Sequence, residues 1–186
     1  WTLAIEEQFY LVYPVLLVTL MKITNRPERW LWALLGVSCV VRFGVIMSDD
    51  QIRTLPGSML VIDPVFHAHH FSVLYDNLYT RYGALLCGCL GAFYYFHHED
   101  ATKRFLNTVL GHVLGWLSLA VILVLMITPV LSHAFDEYQW GNILYQTFGR
   151  NLFSASITYL ILLCVENSYM SRVLNFMFAA RFWYPL

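Results

Sequence analysis

The chain is short of charge. Asp, Glu, Lys and Arg make up 12% of its 186 residues, about half the share usual in a soluble domain. So few ionic groups cannot cover a water-facing surface of this size. Neither sign dominates: eleven Lys and Arg stand against twelve Asp and Glu, a net charge of −1, so there is no basic field for nucleic acid. Cysteine is sparse as well. Cys39, Cys87, Cys89 and Cys164 all fall inside apolar runs, with neither a disulfide framework nor a paired C-x-x-C metal knuckle, and read as small packing residues. Internal repeats and low-complexity tracts are absent, as are an initiator Met, a signal-peptide pattern and a polar leader. The expectation is an internal piece of a longer polytopic protein.

Apolar and aromatic residues are abundant. The chain is 59% hydrophobic and 17% aromatic, with a mean hydropathy of +0.58. Many rings stand at the ends of apolar runs, as at a bilayer interface. Five segments, at 9–23, 30–47, 78–96, 109–131 and 148–165, approach the roughly 20 residues needed to cross a bilayer. A sixth begins near Val173. The expected fold is all-α, a polytopic transmembrane helix bundle of about five complete spans plus a truncated sixth.

Loop charge predicts orientation. Lys22, Arg26 and Arg29 follow the first span, Lys103 and Arg104 the third, and Arg172 and Arg181 the fifth. The alternate loops are acidic: 48–77 holds Asp49, Asp50, Asp63 and Asp76 against Arg53 alone, and 132–147 holds Asp136 and Glu137. Short basic loops stay in the cytoplasm. Glu6, Glu7, the histidines at 67–70, Asp76, Arg81 and Arg150 are therefore expected near the outer mouth. Gly111 with Gly115, and Ala84 with Gly88 and Ala92, have the small-residue spacing that lets helices approach closely in lipid.

A charged side chain in the apolar zone costs about 2.5–3.5 kcal/mol on insertion scales, so each one needs a reason. The opening WTLAIEEQFYLVYP puts Glu6, Tyr10, Tyr13 and Leu17 on one helical face, with Glu7 about 100° away. Either acid could simply sit at a solvated helix N-terminus. Arg42, in GVSCVVRFGVIM, either snorkels outward or pairs with an acid on another helix. Arg81, in YDNLYTRYGALLCG, follows Asp76 and is surrounded by Tyr75, Tyr79 and Tyr82; an interfacial anchor is the plainer reading. In HAHH, His67 and His69 would project from one side of an extended strand. Zinc wants a third ligand and an ordered second shell, which nothing nearby supplies. The stretch reads as a titratable outer loop, with no metal expected. His97 and His98, before Glu99 and Asp100, are expected to cap a helix end, while His112 and His133 stand alone.

The first fourteen residues resemble the W-S/T-L-x-x-E-x-Q-F-Y-L-x-x-P signature of the membrane-bound acyltransferase-3 family. Trp1, Thr2, Leu3, Glu6, Gln8, Phe9, Tyr10, Leu11 and Pro14 meet every fixed position. TRYGALLCGCLGA resembles the family's later helix, with Arg81 followed seven residues on by Gly88. Arg42 is placed like an Arg of the intervening helix, and FAARFWYPL resembles the approach to the last core helix. The resemblance implies that residues 1–186 are part of a single acyltransferase-3 transmembrane domain, lacking its first helices and its last. Members O-acylate glycans and other acceptors. The family pattern wants an acid at Glu6 and is variable at Glu7.

It further implies an acyl-CoA donor, acetyl-CoA above all, used as a substrate with no bound cofactor. The main catalytic His and a preceding basic residue belong to a helix outside these 186 residues. Glu6 would support that imidazole as an acid does in hydrolytic triads. Arg81 or Arg42 would hold an anionic part of donor or acceptor, or neutralise Glu6, with Gln8, Tyr10 and Asp76 completing the binding set. The implied partners are the lipid bilayer, acyl-CoA and a glycan or lipid-linked sugar acceptor, at the cytoplasmic (inner) membrane. Without the resemblance, the residues leave a transporter or a catalytically silent membrane scaffold equally open.

Overall fold

The computed structural model describes residues 2–54, 62–131, 139–166 and 172. Among these residues there is no strand, and the elements are α1 (Thr2–Ile23), α2 (Pro27–Ser48), α3 (Asp50–Thr54), α4 (Pro64–Leu74), α5 (Leu78–His97), α6 (Glu99–Leu106), α7 (Val109–Leu131) and α8 (Gln139–Val165). Local chemistry sets several starts. Pro27 and Pro64 open α2 and α4, where a missing N–H costs nothing. Asp63 caps α4 by accepting from the Val65 N–H at 2.9 Å. Asp49 caps α3 through Oδ1, which accepts from the N–H groups of Gln51 and Ile52 at 3.0 and 3.1 Å.

Every expected span is helical in its described part. Among the described residues three helices are long and apolar enough to cross a membrane: Pro27–Ser48, Val109–Thr128 and Trp140–Val165. Helices α1 and α5 are of similar length, 22 and 20 residues, but carry Glu6, Glu7 and Gln8, and Arg81 and His97, within them. The segment beginning near Val173, and His133 with the loop at 132–138, lie outside the described residues. The segment 48–77, expected as a loop, contains α3 and α4.

Helix α5 lies between α2 and α8, α7 packs on α8, and α1 leans on α2 and α5. The buried cores alternate along this slab. Ile46, Ile52, Phe66, Leu74 and Ile143 close the end that carries α3 and α4. Leu31, Leu86, Leu90 and Phe93 fill the other half with Tyr13, Leu16 and Leu20 of α1 packed against them. Outward faces stay apolar: Val113, Trp116, Leu123 and Met126 of α7 are exposed, as suits a surface wetted by lipid.

Polar contacts then fix helix register. Asn151 Nδ2 donates to Ser38 Oγ at 3.0 Å and reaches Cys39 Sγ at 3.3 Å. Both contacts pass over Gly83, where an added Cβ would collide with Ser38 Oγ and lie 2.8 Å from Asn151 Oδ1. Gly91 is closed in the same way by Thr158. The expected ladder through Gly88 is different: nothing lies within 4 Å of a Cβ built there. The close approach on α5 runs through Gly83 and Gly91, one helical face round from Gly88.

The tightest glycine among those in contact with backbone is Gly111, where a Cβ would sit 2.5 Å from the Phe105 carbonyl and 2.8 Å from that of Leu106. Carbonyls of the preceding turn cannot swing aside. Gly111→Ala is expected to cost about 2 kcal/mol through overpacking. Gly88→Ala should be neutral or raise stability by up to about 1 kcal/mol, the helix-propensity gain. Thermal unfolding of the two variants in detergent checks the contrast.

Candidate functional site

Helix α1 begins at Thr2, so Glu6 and Glu7 lie beyond its first turn and do not serve as N-terminal charges. Their environments differ. Glu7 is exposed, whereas the Glu6 side chain is 35% exposed and its Oε1 lies 3.7 Å from Arg81 Nη2, on a side chain only 13% exposed. At that distance the two form a loose ion pair rather than a direct hydrogen bond. It joins the opening motif on α1 to the later one on α5. Gln8, Tyr10 and Asp76 are exposed, and among the described residues Asp76 makes no ion pair with Arg81.

A groove lies further along the same two helices. Tyr10 stands one turn beyond Glu6 on α1, and Ala84 and Gly88 follow Arg81 at i+3 and i+7 on α5. These three residues, with Cys89, Phe153 and Thr158, line a cavity of about 370 Å³. Gly88 adds only backbone to this lining.

Arg42 neither snorkels nor meets an acid. It is 4% exposed, and its Nε donates to the Gln146 carbonyl at 2.5 Å while Nη1 donates to the Thr80 carbonyl at 3.1 Å. One guanidinium thus ties α2 to both α8 and α5 through backbone acceptors, which no side-chain pattern displays. The residues that hold it bring further charge: Arg81 follows Thr80, and Arg150 lies one turn beyond Gln146. Arg150 stacks on Tyr75, with Cζ 4.7 Å from the ring centroid, and its buried Nη1 has no hydrogen-bond partner. Loop charge alone puts Arg150 at the outer mouth, and nothing in its sequence neighbourhood points to a role.

The three histidines at 67–70 lie on α4, not on an extended strand, so His67 and His69 point roughly 200° apart. His67 is exposed against Phe71, at 5.4 Å between centroids. His69 Nε2 lies 2.8 Å from Asp49 Oδ2, on the carboxylate that caps α3. The net effect of the Ile52 N–H, His69 and the Gln51 N–H outweighs burial and holds the Asp49 carboxyl below its ordinary value. Among the described residues no three His, Cys, Asp or Glu side chains group to hold a metal.

His70 is the buried member, 5% exposed between Phe66 and Tyr75. Burial pushes its pKa down to about 4; the nearby Gln146 side chain opposes this, and the Arg42 charge adds to it. His70 Nε2 and Gln146 Oε1 are close enough to influence each other, yet neither closes a well-formed hydrogen bond. His70 is therefore neutral at pH 7. Its unfolded value lies near 6.5, so between about pH 4 and 6.5 the unfolded chain binds more protons than the folded one. Stability must rise with pH across that window and level off above it. His70→Gln should flatten the rise in thermal midpoint between pH 4.5 and 6.5.

The opposite end of the bundle has a larger cavity of about 640 Å³, walled by Trp32, Leu35, Leu90, Tyr94, Phe105 and Leu162, with Glu28 and His98 on its edge. Trp32 Nε1 donates to Tyr94 Oη there at 3.0 Å. His97 ends α5 and stacks on Phe93 at 4.2 Å, and His98 joins α5 to α6. His112 Nδ1 lies 3.1 Å from the Leu106 carbonyl at the α6–α7 turn.

No protein-family profile and no solved structure matches the chain. It is similar to the peptidoglycan O-acetyltransferase OatA of Listeria monocytogenes serovar 1/2a, at 28% identity over 179 residues, 95% of this chain. The chain spans 25% of the length of that relative. The described residues are helical throughout their elements, three of those helices are long and apolar enough to cross a membrane, and the chain is similar to an O-acetyltransferase over most of its length, which together are the marks of a membrane protein.

Proposed function

We propose that the chain is part of an integral-membrane O-acyltransferase that moves an acyl group, acetyl above all, from acyl-CoA to a hydroxyl of a cell-envelope glycan. The observation that carries this reading is the Glu6–Arg81 pair, which joins two motif residues from distant parts of the chain, each about one turn from a residue, Tyr10 or Ala84, that lines the α1/α5/α8 groove. In this reading Glu6 is the supporting acid, orienting a histidine from a helix outside the 186 residues, and Arg81 fixes the Glu6 carboxylate. Arg42 sets the spacing of α2, α5 and α8, and Gln8, Tyr10 and Asp76 contribute to the mouth.

The wider architecture is five complete spans and a sixth near Val173, within one transmembrane domain of the cytoplasmic membrane. The acid-rich end, with α3 and α4, faces outward. The end carrying Lys22, Arg26, Arg29, Lys103 and Arg104 faces the cytoplasm, and the donor arrives there. The test uses the complete protein in nanodiscs, where both faces are open to solution, given labelled acetyl-CoA and extracted cell-envelope glycans. Label appearing in glycan, and absent with empty nanodiscs, supports the reading. A protein that transfers no label from any acyl-CoA in a panel to any glycan overturns it.

A further inference from the structure

We infer that Arg150, together with Arg42 and Arg81, forms a seat for an anionic group on the acceptor, a carboxylate or a phosphate, so that the preferred acceptor is an acidic glycan. Calling this ligand an acceptor rests on the acyl-transfer reading above; the seat itself rests on charge, burial and unpartnered polar atoms.

Three guanidinium groups converge. Arg42 is anchored on the carbonyls of Gln146 and Thr80, Arg81 is the residue after Thr80, and Arg150 is one turn from Gln146. Arg150 lies within electrostatic reach of both other arginines. Against these three charges stands Glu6, 3.7 Å from Arg81. Among the described residues neither Arg42 nor Arg150 has a carboxylate within 4 Å. Asp76 follows Tyr75 but is exposed and makes no ion pair with these arginines, and Asp49 is committed to the α3 cap and to His69. The cluster therefore carries about two positive charges that no side chain of the described chain neutralises, which is costly at the edge of an apolar slab.

Its polar atoms are also left short. Arg150 Nη1 is buried without a hydrogen-bond partner, and His70 Nε2 and Gln146 Oε1, on residues each 5% exposed, lie within each other's influence but close no well-formed bond. Buried groups left in this state call for a missing partner. An anion supplies what the cluster lacks. Since His70 is neutral at pH 7, it adds donor or acceptor capacity rather than a fourth charge.

The Tyr75 ring lies against the Arg150 guanidinium, with Cζ 4.7 Å from its centroid, and the planar fork of N–H groups suits an oxyanion, carboxylate or phosphate alike. Position decides the source. The cluster lies at the end of the bundle that carries the acid-rich segment 48–77, away from the basic end where the donor arrives.

The test is equilibrium binding to the complete protein in nanodiscs. The probes are a glucuronic-acid-containing tetrasaccharide, its carboxyl-reduced counterpart and its 6-phosphate counterpart. Wild type should bind the carboxylated sugar at least about tenfold more tightly than the reduced one, as one charge-assisted contact implies. Arg150→Gln should collapse that ratio towards one, and Arg150→Lys should keep part of it. If Arg150→Gln does not fold by thermal unfolding, Tyr75→Leu serves instead, and its ratio should fall as well. A ratio unchanged in the folded variant overturns the seat. Tighter binding of the phosphate sugar than of the carboxylated one, lost in Arg150→Gln, supports the seat with phosphate as its anion, and a reduced sugar that binds as well as both overturns it. An intact binding ratio in a protein that transfers no acyl group supports the seat and overturns the acyl-transfer reading alone.

Discussion

Replacing Glu6 by Gln in the complete protein should lower acyl transfer by about a hundredfold, the scale of a lost acid–base or imidazole-orienting interaction. The substitution keeps the shape of the side chain and removes its charge. Arg81, 13% exposed and 3.7 Å away, then loses the only carboxylate described beside it, and an imidazole in the groove loses the group that would stabilise its cationic form. Glu7→Gln is the matched control: Glu7 is exposed and one helical step round, and its loss should leave transfer within about twofold. Initial rates from labelled acetyl-CoA, at equal membrane levels of each variant, provide the measurement. Equal transfer by wild type and Glu6→Gln would reduce Glu6 to a structural partner of Arg81. Arg81→Gln and the double variant separate the two roles. If the pair acts as a unit, the double variant should be hardly worse than the worse single one, since coupled residues are not additive.

The helices can be read from the sequence because hydropathy and length are local properties. Runs such as LWALLGVSCVV and VLGHVLGWLSLAVILVL declare α2 and α7 without reference to anything else in the fold. The HAHH segment deceives for the same reason. PVFHAHHFSVL has no clear apolar period, so nothing local separates a helix from a strand or loop, and the cap that decides it is Asp63 on the Val65 N–H. Arg42 is conspicuous as a charge in an apolar run. Its partners stay hidden because both are backbone carbonyls, which every residue possesses. Arg150 is inconspicuous for the opposite reason: near an expected helix end an arginine looks ordinary, and only packing places it on Tyr75 with Nη1 unsatisfied. The Glu6–Arg81 pair lies between these cases. Each residue stands out by motif, but their meeting depends on how α1 leans on α5.

Gly88 separates a working cleft from a packing face. Gly88→Leu should lower transfer by about a hundredfold, the penalty for displacing reacting groups by roughly an ångström, while the thermal midpoint stays level or rises. The two halves of this expectation have different causes. A leucine at this site points into the 370 Å³ cavity shared with Tyr10, Phe153 and Thr158, where nothing within 4 Å opposes its Cβ. Leu also favours helix over Gly by roughly 0.8 kcal/mol, so the fold has no reason to weaken. Gly83→Leu should behave in the reverse manner, because its side chain would enter the Ser38–Asn151 contact and force α2 and α8 away from α5. Transfer rate and thermal midpoint, measured on both variants, therefore give opposite signatures for cleft and packing glycines. Gly88→Leu with full transfer would mean that the chemistry does not use this groove. A collapsed midpoint would mean that a neighbour from outside the described residues closes over Gly88, and that the small-residue ladder predicted from Ala84, Gly88 and Ala92 is a helix contact after all.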